Sequence, residues 1–394
     1  MKISTDKKQI EELLTRGVNE VIDPIHLKQV LLAGKKLKIK FGIDPTTPNI
    51  HLGRAVPLLK LKDFQQLGHQ IVFIIGDFTG VIGDTSDKET ERPMLSEKEV
   101  KKNMRTYIAQ VEKILDIKKT EIHYNSKWLT KLGYAEISRQ SNQFSLAEFI
   151  NRENIKKRLT KGTHISLREV LYPLMQGYDS VAVKADVEIG GTDQRFNLLA
   201  GRALQVYYKQ QPQDILMVNL ILGTDDRKMS STWGNTINLT DKPNDMFGKI
   251  MSLPDNLIIS YFLHCTRVPM EQVEEYNEQL RKKEINPRDI KMKLAYEITK
   301  IYSGEKMATE ARDFFVKVFQ EKNIPTQIPE MKLANKNIIE ILIQSKLVRS
   351  KSEARRLINQ KGIKVDGKII VLPEEIIKSG SIVQKGKRHF IKII

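Results

Sequence analysis

Two short segments hold the residue types that phosphate chemistry needs. The first reads Asp44-Pro-Thr-Thr-Pro-Asn-Ile-His51-Leu-Gly53-Arg54, and the second, far along the chain, reads Asp225-Asp-Arg-Lys228-Met-Ser230-Ser-Thr232. His51-Leu-Gly-Arg54 is expected at a helix N-terminus, where unpaired N–H groups and the helix dipole favour a phosphate. There His51 can donate to an α-phosphate as charge builds, and Gly53, with no Cβ, lets a flat base pack on the backbone. Lys228, Ser230, Ser231 and Thr232 offer an ammonium and three hydroxyls on a loop that can close over a leaving pyrophosphate. Each segment alone is short enough to be an ordinary turn or a solvated lysine loop. Their order, each after an expected strand, gives the pair its weight. Between them, Tyr172, Gln176 and Asp179 recur at i, i+4 and i+7, so a helix shows all three on one face. On spacing alone, a helix with a plain buried polar stripe fits these three equally well.

The elements that must position these residues follow from periodicity. Leu37-Lys-Ile-Lys-Phe-Gly-Ile43 alternates apolar and basic residues and reads as a strand. A period near 3.6 from Leu52 to Leu67 ends at Gly68, as a helix with a glycine stop should. Gln70-Ile-Val-Phe-Ile-Ile75 is apolar on both faces and reads as a buried strand. Strand, turn, helix and strand in this order make a βαβ unit of a doubly wound sheet. The pattern returns as a strand near Asp186–Ile189, a helix from Asp193 to about Gln205 and a strand over Asp214–Val218. Ligands of such sheets sit at the carboxyl ends of strands, so 44–54, 76–92, 190–194 and 220–232 can converge on one crevice. Amphipathic helices without strands are expected from Pro243 to Asn323, clearest over Met270–Lys283, Pro287–Ser303 and Glu305–Glu321. The divisions expected are a catalytic domain over 1–232, a helical domain over 233–323, a linker over 324–336 and a last domain over 337–394.

Composition narrows the class. Apolar content of 40% and 29% charged residues in 394 describe a soluble globular protein of several domains. No apolar run approaches a membrane span, so no membrane partner is expected. The single Cys265 excludes an intrachain disulfide and a cysteine metal cluster, and fits a reducing cytoplasm. The net charge is +17, and residues 332–394 hold 15 Lys and Arg against 5 Asp and Glu, a net +10. That asymmetry points to a nucleic-acid-binding tail, although a lysine-rich solvated surface has the same composition.

The two phosphate segments resemble the ATP signatures of class I aminoacyl-tRNA synthetases. Phe41-Gly-Ile-Asp-Pro-Thr46, Gly76-Asp-Phe-Thr-Gly80, Ile82-Gly-Asp84, Leu171-Tyr-Pro-Leu-Met-Gln-Gly-Tyr-Asp179 and Ile189-Gly-Gly-Thr-Asp-Gln194 are more specific. On them the chain resembles the bacterial tyrosyl-tRNA synthetases over nearly its whole length. The resemblance implies a Rossmann-like α/β fold with a doubly wound parallel sheet, an α-helical domain for the anticodon arm and a small C-terminal α+β RNA-binding domain of the S-four type. It implies a tyrosine–tRNA ligase that uses L-tyrosine, ATP with Mg2+ and tRNA(Tyr), works as a cytoplasmic homodimer and holds no tightly bound metal. Asp44, Asp84, Tyr172, Gln176, Asp179 and Gln194 are implied on the tyrosine side, with Asp179 the acceptor for the phenol and Asp84, Tyr172 and Gln176 around the α-ammonium. Gly53, Gly191, Asp193, Leu220, Ile221 and Lys228 are implied on the ATP side, with Asp193 at the ribose. Thr46, His51, Arg54, Lys88, Arg92, Lys228 and Ser230 are implied at the phosphates. Lys351, Arg355 and Arg356, in Ser350-Lys-Ser-Glu-Ala-Arg-Arg356, are implied at RNA phosphates.

Three positions depart from the family pattern. Arg54 replaces a histidine, keeps a donor and is expected to reach the phosphates one turn from His51. Ser231 replaces the second lysine of the loop and removes a cation. Lys40 stands where one branch has a tyrosine at the substrate hydroxyl, which leaves that hydroxyl resting more heavily on Asp179. His69, His123, His164 and Trp128 are expected in packing or turns. The departures leave room for a second reading, a non-catalytic RNA-binding protein built on a synthetase. A tryptophan-specific enzyme of the same fold is a third, against which Tyr172, Gln176, Asp179 and the basic tail argue.

Overall fold

The computed structural model describes residues 3–84, 94–231, 233–319, 328–332, 337–386 and 389–394. Lys88, Arg92, Thr232 and much of the expected linker lie outside them. The chain divides into two compact units, Met1–Asp241 with Lys249–Tyr302, and Lys242–Gly248 with Ser303–Ile394.

The first unit is built on six strands: β1 (Val18–Ile22), β2 (Lys38–Ile43), β3 (Gln70–Ile75), β4 (Thr120–Tyr124), β5 (Val187–Gly191) and β6 (Asp214–Val218). Their order is β1-β6-β5-β2-β3-β4, with β1 antiparallel to β6 and every other pairing parallel. β3, β5 and β6 are buried almost throughout, as covered parallel strands must be. The strands expected near 37–43, 70–75, 186–189 and 214–218 are β2, β3, β5 and β6. β1 and β4 were not expected: β1 is a half-exposed antiparallel edge with an irregular register, and β4 has no buried residue. Neither shows the apolar run by which its neighbours are recognised.

β2 feeds the helix Leu52–Gln66, which ends beside Gly68 at φ +97°. The helix Leu167–Val183 begins with a capping box between Ser166 and Glu169. It lies against the helix Arg195–Tyr207 so closely that a Cβ on Gly177 would stand 3.1 Å from the backbone of Ala200 and Gly201. This contact sets the face carrying Tyr172, Gln176 and Asp179 against the end of β5. Beyond β6 come the helix Ile258–Cys265, for which no limits were expected, and the helices Met270–Arg281 and Pro287–Ser303, near their expected limits. Arg267 pairs with Asp63 at 2.7 Å and ties the end of Ile258–Cys265 to the helix Leu52–Gln66. Cys265 is 1% exposed, and burial pushes its thiol up to about 12.

The second unit contains the helix Glu305–Phe319 and a five-stranded sheet of order β7-β11-β10-β8-β9. The strands are β7 (Glu330–Met331), β8 (Ile363–Val365), β9 (Lys368–Ile369), β10 (Ile382–Lys385) and β11 (His389–Ile393). The helices Ile338–Gln344 and Lys351–Asn359 share its core through Ile338, Leu342, Ile358, Ile363 and Val383. Asp366 and Gly367, both at positive φ, close the β8–β9 hairpin as a two-residue turn requires.

Candidate active site

One crevice lies outside the carboxyl ends of β2, β3 and β5, where the order of the parallel strands turns. Asp44, Thr46, His51, Gly53, Arg54, Asp84, Tyr172, Gln176, Asp179, Gly191, Asp193, Gln194, Leu220, Ile221, Lys228 and Ser230 all line it. These are all the crevice residues expected from the sequence except Lys88 and Arg92, which lie outside the described residues.

On one side the crevice is a set of carboxyls held by donors. Asp179, 3% exposed, accepts from Trp128 Nε1 at 2.7 Å and Asn125 Nδ2 at 3.2 Å. Burial pushes its carboxyl up to about 7, against the opposing pull of Lys40 and these two donors. Asp44 accepts from Thr79 Oγ1 at 2.7 Å and from the Tyr172 hydroxyl at 2.8 Å, and burial raises it to about 6. A Cβ on Gly76 would stand 2.0 Å from Asp44 Oδ1, so only glycine fits there. Gln194 donates to Asp84 at 2.8 Å, and Asn197 donates to the side-chain oxygens of both Gln194 and Gln176.

Lys40 does not reach this cavity. It is fully buried, and its ammonium is held by Glu188 at 2.9 Å, the Gln176 carbonyl at 2.9 Å and Ser180 Oγ at 2.7 Å. Trp128 packs, as expected, against the cluster of Val72, Ile74, Val183 and Ala185, and its indole N–H also fixes an oxygen of Asp179.

The other side meets the helix Leu52–Gln66 at its N-terminus. His51 is the residue before that helix and makes no side-chain cap; its buried Nδ1 has no partner. Burial, then the charges of Arg54 and Lys228, push its pKa down to about 3, so the ring is neutral at working pH. A Cβ on Gly53 would stand 3.1 Å from His51 Nδ1, so the glycine serves the imidazole as well as any ligand. The two phosphate segments touch, because the Gly53 N–H points to Met229 Sδ at 3.3 Å.

Arg54 lines the crevice, but its guanidinium is engaged by its own loop. It donates to Thr46 Oγ1 at 2.9 Å, the Asp44 carbonyl at 3.2 Å and the Tyr107 hydroxyl at 3.3 Å. Through the first of these bonds its guanidinium holds Thr46 in place. Lys228 reaches across to Asp193 at 3.1 Å. A Cβ on Gly191 would stand 2.6 Å from Asp193 Oδ1, which explains the glycine before this turn. Asn235, 3% exposed, accepts from Ser230 N and donates to the Lys228 carbonyl and Asp225, and so shapes the loop.

Trp128 and Asn125 act on Asp179 from a distant segment, whereas Asn197 and Asn235 lie close in sequence to Gln194 and Lys228 but form no pattern that marks them. Glu188 and Lys40 carried a legible signal. A lone carboxylate in buried Val187-Glu-Ile-Gly-Gly191 needs a partner, and a lysine in the neighbouring strand is the natural one. In the second unit, Lys351, Arg355 and Arg356 are exposed along the helix Lys351–Asn359, with Lys351 2.8 Å from Glu340. Among the described residues, the one group with metal-ligand geometry is Asp23, His26 and Asp214. Asp214 starts β6, at the end of the sheet away from the crevice, and His26 already bonds it at 3.0 Å.

Residues 32–320 match the family model described as class I tRNA synthetases (W and Y), and residues 339–383 match that of the S4 domain. The chain is 44% identical over 393 residues to a tyrosine–tRNA ligase of Thermotoga maritima, covering 99% of this chain and 98% of that one. It is 45% identical over 397 residues to tyrosine–tRNA ligase 2 of Clostridium acetobutylicum, covering 98% and 99%. Among solved structures, the fold is similar to a C-terminally truncated mitochondrial tyrosyl-tRNA synthetase of Aspergillus nidulans. The TM-score is 0.66 at 22% identity, over 80% of this chain and 95% of that one. A tyrosyl-tRNA synthetase of Archaeoglobus fulgidus, solved with L-tyrosine, gives a TM-score of 0.62 at 20% identity over 78% and 100%.

Proposed function

The chain belongs to the class I tRNA synthetases, and from that membership and its crevice we infer the reaction of a tyrosine–tRNA ligase. L-tyrosine is activated with ATP to tyrosyl adenylate and pyrophosphate, and tyrosine then passes to the terminal adenosine of tRNA(Tyr). The observation that carries the tyrosine assignment is Asp179. It is a buried acceptor whose two nearest donors, Trp128 and Asn125, leave the carboxylate able to accept one more hydrogen bond. A phenol supplies that bond and a phenyl ring does not.

Activation needs no protein nucleophile. The tyrosine carboxylate attacks the α-phosphorus, the bond to the bridging oxygen breaks, and pyrophosphate leaves with its electron pair. The protein positions the reactants and stabilises charge. Asp84, Tyr172 and Gln176 hold the substrate ammonium. The Tyr172 hydroxyl spends its proton on Asp44 and so offers its lone pairs to that cation. Neutral His51 donates to the α-phosphate without adding a charge. Thr46, held by Arg54, serves the γ-phosphate. Lys228 and Ser230, with Lys88 and Arg92, meet the departing pyrophosphate. Asp193 takes the ribose, and Leu220 and Ile221 take the adenine. Magnesium enters as the counter-ion of ATP.

The same reading places Lys351, Arg355 and Arg356 on tRNA phosphates. It makes the molecule a cytoplasmic homodimer; Tyr134, Leu146 and Leu167, exposed at 92%, 63% and 79%, leave apolar surface on the catalytic unit for a second copy. No helix among the described residues is long and apolar enough to cross a membrane. The deciding experiment is amino-acid-dependent ATP–pyrophosphate exchange with tyrosine, tryptophan and phenylalanine. Tyrosine alone supports exchange; exchange driven by tryptophan, or by none of the three, overturns the reading.

A further inference from the structure

Lys40 and Glu188 form a buried ion pair at the edge of the crevice, which Glu188 lines and Lys40 does not. We propose that Lys40 and Glu188 are positioning residues that fix the side-chain amide of Gln176 with its oxygen toward the substrate ammonium. The proposal rests on the reading of Gln176 as an ammonium ligand.

The argument runs through hydrogen-bond chemistry. An amide can turn its oxygen or its nitrogen to a ligand, and only its surroundings decide which. An ionised carboxylate only accepts. Glu188 Oε1 accepts from Gln176 Nε2 at 3.3 Å, and Asn197 Nδ2 donates to Gln176 Oε1 at 3.1 Å. With its nitrogen committed to Glu188, the amide has one lone pair of Oε1 left for a cation. A flipped amide would present N–H groups to an ammonium and repel it. Glu188 therefore has to be ionised and still. It is 1% exposed, and four donors hold it: Lys40 at 2.9 Å, Ser180 Oγ at 3.0 Å, Gln213 Nε2 and Gln176 itself. Lys40 supplies the compensating charge and also grips the Gln176 carbonyl, so both ends of that residue are anchored to one pair. A buried ion pair contributes little to stability over an apolar pair of the same size, which makes its use here one of orientation.

The test uses the intact enzyme and tyrosine-dependent exchange. Glu188→Gln keeps the shape but can offer a donor to Gln176. Because it leaves Lys40 unpaired, it is paired with Lys40→Met/Glu188→Gln, which removes both charges, and with Ser180→Ala, which loosens the pair without stranding a charge. The double variant is expected to raise the KM for tyrosine about tenfold or more, as befits a lost bond to a charged group. Its kcat and its KM for ATP stay near the parent's. Ser180→Ala moves the same way by less. Inhibition by 3-(4-hydroxyphenyl)propanoate, which lacks the ammonium, stays unchanged, and in a Gln176→Ala background the double change adds nothing. Equal weakening of tyrosine and of the desamino compound would show that the pair only maintains the pocket's shape and would overturn the proposal. So would an unchanged tyrosine KM in all three variants. A parent that fails tyrosine-dependent exchange overturns the functional reading itself, which separates the two failures.

Discussion

Asp179 holds a charge that its surroundings oppose. Burial raises its pKa from the usual carboxylate range to about 7, whereas the unfolded chain ionises near 3.8. The native state therefore binds this proton more tightly, and ionised Asp179 costs stability above pH 7, by at most about 4 kcal/mol. The cost is complete above pH 7, shrinks as pH falls below 7 and the native carboxyl protonates, and vanishes only near 3.8, where the unfolded carboxyl protonates too. The melting temperature of Asp179→Asn relative to the parent should thus be more favourable at pH 8 than at pH 5, as measured by thermal denaturation at both. A difference that does not change with pH would mean that Asp179 titrates normally. Asp179→Ala, which removes the acceptor, should narrow the tyrosine-to-phenylalanine ratio of kcat/KM by about ten- to hundredfold, the cost of an unpaired buried acceptor. The residue was legible through the family resemblance carried by Leu171–Asp179; spacing placed it on one helix face with Tyr172 and Gln176 but gave it no role. Its supports were not. Trp128 and Asn125 lie more than fifty positions earlier and reach Asp179 only once β4 is laid beside β3. Arg54 shows the opposite limit: its place was legible, but the direction of its guanidinium was set by Tyr107 and Thr46, which spacing does not reveal.

At the scale of elements, the site is two loops and a helix end that occupy one another. Met229 meets the first turn of the helix Leu52–Gln66, and Lys228 rests on Asp193. A nucleoside that bonds Asp193 has to share it with that ammonium. Lys228→Met should therefore slow adenylate formation while tightening inhibition by adenosine up to about fivefold, the worth of a partly exposed ion pair. Single-turnover activation and adenosine inhibition read the two effects separately, and looser adenosine binding would show that Lys228 helps the nucleoside. The strands and helices that carry these loops were legible, since β3 and β6 are apolar runs, β2 alternates apolar and basic residues, and β5 repeats the strand–helix–strand pattern. β1 was not, because an antiparallel edge strand needs no such run.

For the whole molecule, the charge asymmetry of the sequence falls on residues 332–394 of the second unit, which include the S4-matched 339–383. A chain ending at Phe319 keeps every described crevice residue. It should form adenylate at the parent's rate and charge tRNA poorly. Full-length protein should lose tRNA affinity with salt more steeply, by a slope of about 2–3 for the contacts of Lys351, Arg355 and Arg356. Equal slopes for the two chains would remove RNA binding from this unit. The lone thiol turns the catalytic unit into its own clock. Cys265 has neither the access nor the thiolate to react while its helix stays packed, so alkylation in native buffer records how often that helix lifts. The Arg267–Asp63 pair joins its end to the helix whose first turn the ATP phosphates would load. Tyrosine and ATP together should therefore slow alkylation severalfold, so that occupancy of the crevice becomes readable by mass spectrometry at a sulfur that no substrate approaches.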